Sequence, residues 1–287
     1  MGGLGNQLFQ YALGRWLAKE RSASLKLDLS WFQMQTLRSY QLDTLKISAE
    51  IASPEDIEKL KRANWGGMKG RIYRAVQRRM PYYRQRVVAE QVPFFDSHIV
   101  KNVSRNVYLM GYWQSERYFS SIASLLRGEL KLKEPFSPDY QAWREKISKV
   151  KSVSLHVRRG DYVNNPHINQ FHSICSIAYY AEAISYIRQR LPETTIFVFS
   201  DDIAWARQNL TSYFPIEFVE LKNTNRDQEE LSLMSLCNHH IIANSSYSWW
   251  GAWLGACSEK IVIAPEKWFN DEGQNTKDLI PVTWIRL

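Results

Sequence analysis

Three short segments carry side chains whose types and spacing suit one chemistry. The first, His156-Val157-Arg158-Arg159-Gly160-Asp161-Tyr162, sets two arginines beside a glycine and a carboxylate. A guanidinium is a planar fork that grips phosphate with two parallel hydrogen bonds. The plainer alternative is a surface ion pair between Arg159 and Asp161. The second is Asn244-Ser245-Ser246-Tyr247-Ser248-Trp249-Trp250-Gly251. Hydroxyls and unpaired backbone N–H groups at a helix start can receive an anion without a metal, although a serine there can equally be an ordinary N-cap. The third, Phe199-Ser200-Asp201-Asp202, offers carboxylates to the N–H groups of a guanine edge or to a ribose. Its alternative is helix capping by Asp201 or Asp202. Together the three sets suit a nucleotide diphosphate. The phosphate loop GxxxxGK[ST] and the dinucleotide fingerprint GxGxxG are absent, as are Asp-x-Asp, HExxH and CxxC, so neither those nucleotide folds nor a clustered metal site is expected. His239-His240 reads as packed or exposed, not as a ligand pair.

The elements that would position these segments alternate regularly from about residue 151. Strands are expected at Val153–Val157, Ile196–Ser200, Ile216–Leu221, Ile241–Ala243 and Ile261–Ala264. Helices are expected at Ala178–Leu191, Ile203–Leu210, from Asp227 to about Cys237, and Tyr247–Cys257. Such alternation specifies an α/β protein with a doubly wound parallel sheet, in which ligands bind at the carboxyl ends of the strands. All three chemical segments fall at strand ends. The first half is less regular, with helices expected at Asn6–Arg21, at 54–62 behind the Ser53-Pro54 start, and at Ser115–Leu130, and a strand at Leu25–Leu29. Gly2-Gly3-Leu4-Gly5-Asn6 looks like a strand-to-helix turn, yet no apolar strand precedes it. The expected organisation is an N-terminal α/β domain over 1–134, a proline-bearing linker over 135–150, and a C-terminal nucleotide-binding domain over 151–287.

Composition narrows the class. The 287 residues are 45% hydrophobic and 23% charged, a balance that excludes wholesale disorder and fits about two domains. No apolar run is long enough to span a bilayer. Neither a basic region nor an apolar core follows Met1, so no secretory leader is expected. Three cysteines, none in a CxxC pair, argue against a disulfide scaffold and for a reducing, cytoplasmic setting. The 11 tryptophans could line a sugar cleft or fill a core. Residues 61–90 hold nine basic groups and one acid, so the entire net charge of +8 resides there, interleaved with Trp65, Tyr73, Tyr82 and Tyr83. This patch suits an anionic membrane surface, an anionic acceptor or simply solvent. Without a nucleic-acid motif beside it, no nucleic-acid partner is expected.

The run GGLGNQLFQYA from Gly2, HVRRGDY at 156–162, FSDD at 199–202, and LMSLC at 233–237 with IIANSSYSWWGAWL at 241–254 resembles the alpha-1,2-fucosyltransferase family. The motifs run in family order to about Trp268. The resemblance implies a GT-B-like fold of two Rossmann-like domains facing a cleft. It implies metal-independent, inverting transfer of fucose from GDP-fucose to O2 of a terminal galactose, with no further cofactor. By that resemblance Arg158 meets the diphosphate, and Arg159 is a second phosphate contact or a brace for Asp161. Ser245, Ser246 and Ser248 would donate to phosphate oxygens, and His156, grouped with Arg158 and Asp161 among the catalytic residues, and Asp202 would lie near the guanine. Gly3, Gly5 and Asn6 would form a turn facing the cleft and help bind the donor. Asp161 is the first choice of base, with an arginine-orienting role as its alternative. His167 and His172 follow in the next loop, and a strongly oxocarbenium-like transition state could dispense with a base. A bacterial enzyme of this kind would build surface polysaccharide from the cytoplasmic side, with residues 61–90 against the inner face of the membrane.

Overall fold

A computed structural model describes residues 1–61, 66–160, 174–210, 215–222, 227–270 and 275–287. The chain forms two compact units, Met1–Leu130 with Lys277–Leu279, and Lys131–Thr276 with Ile280–Leu287.

The first unit opens with α1 (Leu4–Glu20), whose Leu8, Phe9, Tyr11, Ala12 and Leu13 are fully buried. Gly3 caps α1 in extended backbone without a side-chain bond. The buried amide of Gln7 instead ties the helix to the flanking chain. Its Nε2 donates to the carbonyls of Gly2 and Ser39, each at 2.9 Å, and its Oε1 accepts from the Gln41 N–H at 3.0 Å. There follow β1 (Lys26–Leu27), α2 (Ser30–Gln33), β2 (Glu50–Ile51), α3 (Pro54–Lys61) and α4 (Gly67–Arg79). The start of α3 is a reciprocal capping box: Ser53 Oγ accepts from the Asp56 N–H, and Asp56 Oδ2 from the Ser53 N–H, both at 3.2 Å. The remaining elements are β3 (Val87–Ala89), α5 (Ser97–Asn102), β4 (Tyr108–Met110) and α6 (Ala123–Glu129). Strands β1 and β2 pair in parallel, as do β3 and β4, in two separate ladders. The helix expected over Ser115–Leu130 is shorter: two 3₁₀ turns, Glu116–Tyr118 and Ser120–Ile122, precede α6. Ser115 Oγ draws in the Arg117 N–H at 3.4 Å, a local bond that competes with helical pairing.

The second unit carries α7 (Pro138–Ser148), β5 (Ser152–Val157), α8 (Ile177–Arg190), β6 (Thr195–Ser200), α9 (Ile203–Asn209) and β7 (Ile216–Phe218). It continues with α10 (Asp227–Leu236), β8 (His239–Ile241), α11 (Ser246–Leu254), β9 (Val262–Ala264) and β10 (Ile285–Arg286). One six-stranded, all-parallel sheet results, ordered β10-β9-β8-β5-β6-β7. Strand β5 is buried along its whole length. Val153, Leu155 and Val157 join the core that holds Tyr180, Ala183 and Ile187 of α8. The alternate residues Ser154 and His156 face the other way, as period-two geometry requires. Ser154 Oγ lies 2.8 Å from His240 Nδ1, and the His156 ring centroid lies 5.6 Å from that of Tyr247.

The segment 135–150, expected as a linker, contains α7 and lies within the second unit. Pro138 stands at the first helical position rather than breaking structure, and Ser137 Oγ accepts from the Tyr140 N–H at 3.1 Å. The α11 tryptophans go to the core: Trp249, Trp250 and Trp253 are buried, and Trp249 stacks on Trp253 with centroids 6.1 Å apart. His239 and His240 are packed, with His239 Nδ1 accepting from the Ile261 N–H at 3.1 Å. The three cysteines are free thiols. No described helix is long and apolar enough to cross a membrane.

Candidate active site

The sheet order of the second unit locates a crevice. From β5 the chain moves outward through β6 and β7, then returns to the other side of β5 and moves outward through β8, β9 and β10. The direction of winding reverses between β5 and β8. A parallel sheet opens a ligand crevice at such a switch point, beyond the carboxyl ends of the two strands. Register pairs Leu155 of β5 with Ile241 of β8, and Val157 with Ser200 of β6. Arg158 and Arg159, Asp201, and the turn at Ser245 therefore leave three adjoining strands at one edge.

At that edge the arginines are held by the end of β6. Asp201 Oδ1 accepts the Arg159 N–H at 2.8 Å, while its Oδ2 lies 3.1 Å from Arg158 Nη1. Gly160 makes this possible: a Cβ there would stand 2.9 Å from Asp201 Oδ2. Arg159 turns toward α9, its guanidinium 4.0 Å from the Trp205 ring centroid and its Nε 3.6 Å from Asp202 Oδ2. At that separation the Asp202 contact is an ion pair without a hydrogen bond. Arg159 is thus a packed brace whose partners are Trp205 and Asp202; Asp161, the partner considered from sequence, lies outside the described residues, as do His167 and His172. Asp202 is also the N-cap of α9, accepting from the Trp205 N–H at 3.1 Å. Its capping alternative is therefore realised, and one carboxylate oxygen is withdrawn from the guanine role expected of it.

Across the switch point, Ser245 caps α11 by accepting from the Tyr247 N–H at 3.3 Å, and Ser246 opens the helix, half-buried. Ser248 differs from its expected role. Only 1% exposed, it donates to the carbonyls of Ala243 and Ser245 at 3.4 and 3.3 Å, which turns its hydroxyl away from any anion at the helix start. His156 is 4% exposed, and its Nδ1 has no hydrogen-bond partner among the described residues. Burial, aided by the nearby Arg158 charge, lowers its pKa to about 3, so the imidazole is neutral at ordinary pH. Tyr247 donates to the Asp227 carbonyl at 2.5 Å, tying the first turn of α11 to that of α10.

That first turn contributes a residue not picked out from sequence, Glu230. Burial, followed by the charges of Asp227 and Asp201, raises its carboxyl to about 7. It makes no hydrogen bond or ion pair among the described residues. Its only sequence signal is position, since a carboxylate in the first turn of a helix reads as a dipole partner. Its neighbour Glu229 is committed to structure, accepting from Ser137 Oγ at 2.6 Å and from the Ser137 N–H at 3.0 Å. In the first unit, Gly3 is the N-cap of α1, and Gly5 and Asn6 lie in its first turn. Asn6 Oδ1 accepts from Gln114 Nε2 at 2.7 Å.

Comparison with known proteins agrees with this architecture. The model for Glycosyl transferase family 11 matches residues 89–287. An Escherichia coli protein, alpha-1,2-colitosyltransferase, is 36% identical over 298 residues, spanning 100% of this chain and 96% of that protein. The E. coli O-antigen biosynthesis glycosyltransferase WbnK is 32% identical over 310 residues, spanning 100% and 98%. The Bos taurus galactoside 2-alpha-L-fucosyltransferase SEC1 is 29% identical over 107 residues, 37% of this chain and 29% of that protein. Among solved structures, Arabidopsis thaliana FUT1 in complex with GDP superposes with a TM-score of 0.51 at 12% identity, covering 98% of this chain and 73% of that one. That likeness supports a shared GT-B-like α/β fold. With a family match over most of the chain and relatives aligned along its full length, the protein belongs to glycosyltransferase family 11.

Proposed function

We propose that the protein transfers L-fucose from GDP-fucose to the 2-hydroxyl of a terminal galactose, with inversion and without a metal ion, in the synthesis of a surface polysaccharide. The observation that carries this reading is the switch point between β5 and β8. Because β5 and β8 are neighbours, the segments that follow them, Arg158 and the Ser245–Ser246 turn, leave one edge of the sheet side by side, an arrangement suited to a diphosphate that engages both. In the transfer, the acceptor oxygen forms its bond to C1 of the sugar as the bond from C1 to the β-phosphate oxygen breaks. Arg158 and the N–H groups of the α11 turn neutralise the charge that accumulates on GDP. Fixed donors of this kind act where charge develops in the transition state and need no reorganisation.

The guanine is read by the neutral His156 and by Glu230, which takes the part first expected of Asp202. In its ionised form the raised Glu230 carboxyl can accept the paired N–H donors of a guanine edge. Asp161 remains our assignment for the base that takes the acceptor proton.

A second donor has specific support. The full-length relative is named for colitose transfer in the same alpha-1,2 linkage. Colitose differs from fucose only in lacking the 3-hydroxyl, so the same diphosphate and guanine contacts serve both. The deciding experiment incubates the protein with GDP-fucose or GDP-colitose and a panel of galactose-terminated oligosaccharides, then maps the product linkage by NMR. An alpha-1,2 fucosyl product formed in the presence of EDTA is expected. Turnover with GDP-colitose alone would replace the donor, and no product with either sugar nucleotide would overturn the reading.

A further inference from the structure

The helix α4 (Gly67–Arg79) presents its apolar stripe to solvent. At about 100° per residue, Met68, Ile72, Ala75 and Val76 share one sector of the helix. A sequence pattern of this kind ordinarily marks the core-facing side. Here Met68 is 70% exposed, Ile72 57% and Val76 51%. The side turned to the protein is roughly the opposite one, with Gly70 buried and Tyr73 and Gln77 partly buried. Gln77 fixes that orientation, since its Oε1 accepts the Arg86 N–H at 2.9 Å. Basic residues flank the exposed stripe: Lys69 on one side, Arg71, Arg74 and Arg78 on the other, with Arg79 at the C-terminal end. From 66 to 89 the sequence holds seven basic residues and no acidic one.

We propose that α4 is an interfacial helix that lies on an anionic lipid bilayer, with Met68, Ile72 and Val76 inserted below the headgroups and the flanking basic residues against the phosphates. The two halves of the face select this occupant together. Anionic headgroups complement the basic flanks, and the acyl boundary receives the stripe between them. A second copy of the chain would bring two basic faces together. A nucleic-acid backbone would answer the charge and leave the apolar stripe in water. Long arginine side chains reach back from an inserted helix to the headgroup level, which accommodates Arg79 beside Ile72. The proposal concerns the first unit alone and does not rest on the transfer reaction.

Sedimentation of the full chain with vesicles tests it. Binding is expected to vesicles of phosphatidylcholine with phosphatidylglycerol, to weaken with added salt, and to be slight on phosphatidylcholine alone. Replacing Arg71 and Arg78 by serine should weaken binding by roughly fivefold for each charge removed. The double change Ile72→Ser and Val76→Ser should weaken it by about tenfold or more, because the apolar contact is lost while every charge remains. All four positions are exposed, so thermal unfolding should match the parent and confirm intact protein. Equal binding by the apolar variant and the parent would overturn insertion. Equal binding to neutral vesicles would overturn the anionic preference, and a dimer in light scattering that the apolar variant dissolves would assign the face to a second copy.

Discussion

At the scale of single residues, the site depends on a few charges whose partners differ from those the sequence suggested. Arg158 is held at 3.1 Å by Asp201 and is not committed to a helix cap, whereas Asp202 is. Arg158→Ala should therefore remove roughly 3–4 kcal/mol of transition-state stabilisation while the unfolding midpoint barely changes; steady-state transfer rates and thermal unfolding on one preparation check both. Glu230 and His156 give pH signatures of opposite sign. A carboxyl raised from 4.5 to about 7 in the folded state holds its proton where the unfolded chain has released it. Stability is then lost as pH rises from about 4.5 to 7. His156, lowered from 6.5 to about 3, stays neutral where the unfolded chain takes up a proton, so its contribution is lost as pH falls below about 6.5. The two oppose each other between about pH 4.5 and 6.5. Urea unfolding across pH should show that Glu230→Gln removes the loss on the alkaline side. An unchanged profile in that variant would mean the carboxyl is not raised.

At the scale of elements, the helix starts do the positioning. Ser137, Asp202 and Ser245 each cap a helix of the second unit through a side-chain oxygen. Ser137 also donates to Glu229 Oε2, joining α7 to α10, the helix that carries Glu230. Ser137→Ala removes a cap and leaves a buried carboxylate short of a donor. We expect a loss of about 1–3 kcal/mol in urea unfolding, with α10 loosened and donor KM raised more than kcat is lowered. The same signature, serine followed by proline at the first helical position, begins α3 at Ser53-Pro54. It was legible there because an amphipathic run followed at once. At Ser137-Pro138 two prolines in close succession resemble a connection, and only the packing of Tyr140 and Ile147 shows a helix.

At the scale of the whole molecule, the basic excess and the proposed nucleotide site fall in different units. The basic excess is confined to the first unit around α4, and the switch-point crevice belongs to the second. A ligand that binds only folded protein stabilises it by mass action. GDP should therefore raise the unfolding midpoint, and at 100 times its Kd the gain is about 2.7 kcal/mol. The increment should persist in EDTA and vanish in Arg158→Ala. A shift given equally by ADP would show that His156 and Glu230 do not read the base. Comparing GDP-fucose with GDP-colitose by the same shift ranks the two donors independently of any acceptor.

Much of this protein was settled by the order of its residues. The strand–helix alternation after residue 151 specified a parallel, doubly wound sheet, because a buried parallel strand must read as a short apolar run and its crossover as an amphipathic helix. The order of the motifs identified the family, and the arginine pair and the serine turn were recognisable at strand ends. Tertiary structure alone decided which side chains remain available. Ser248 and Asp202 share the composition of a binding residue but are used by backbone N–H and carbonyl groups, and such local pairing depends on where each helix begins to within a residue. Glu230 became notable through burial near Asp201, a residue far from it along the chain that only the fold brings close. The outward face of α4 was likewise undecided, since periodicity states that one side of a helix is apolar and cannot state whether that side meets a core or a bilayer.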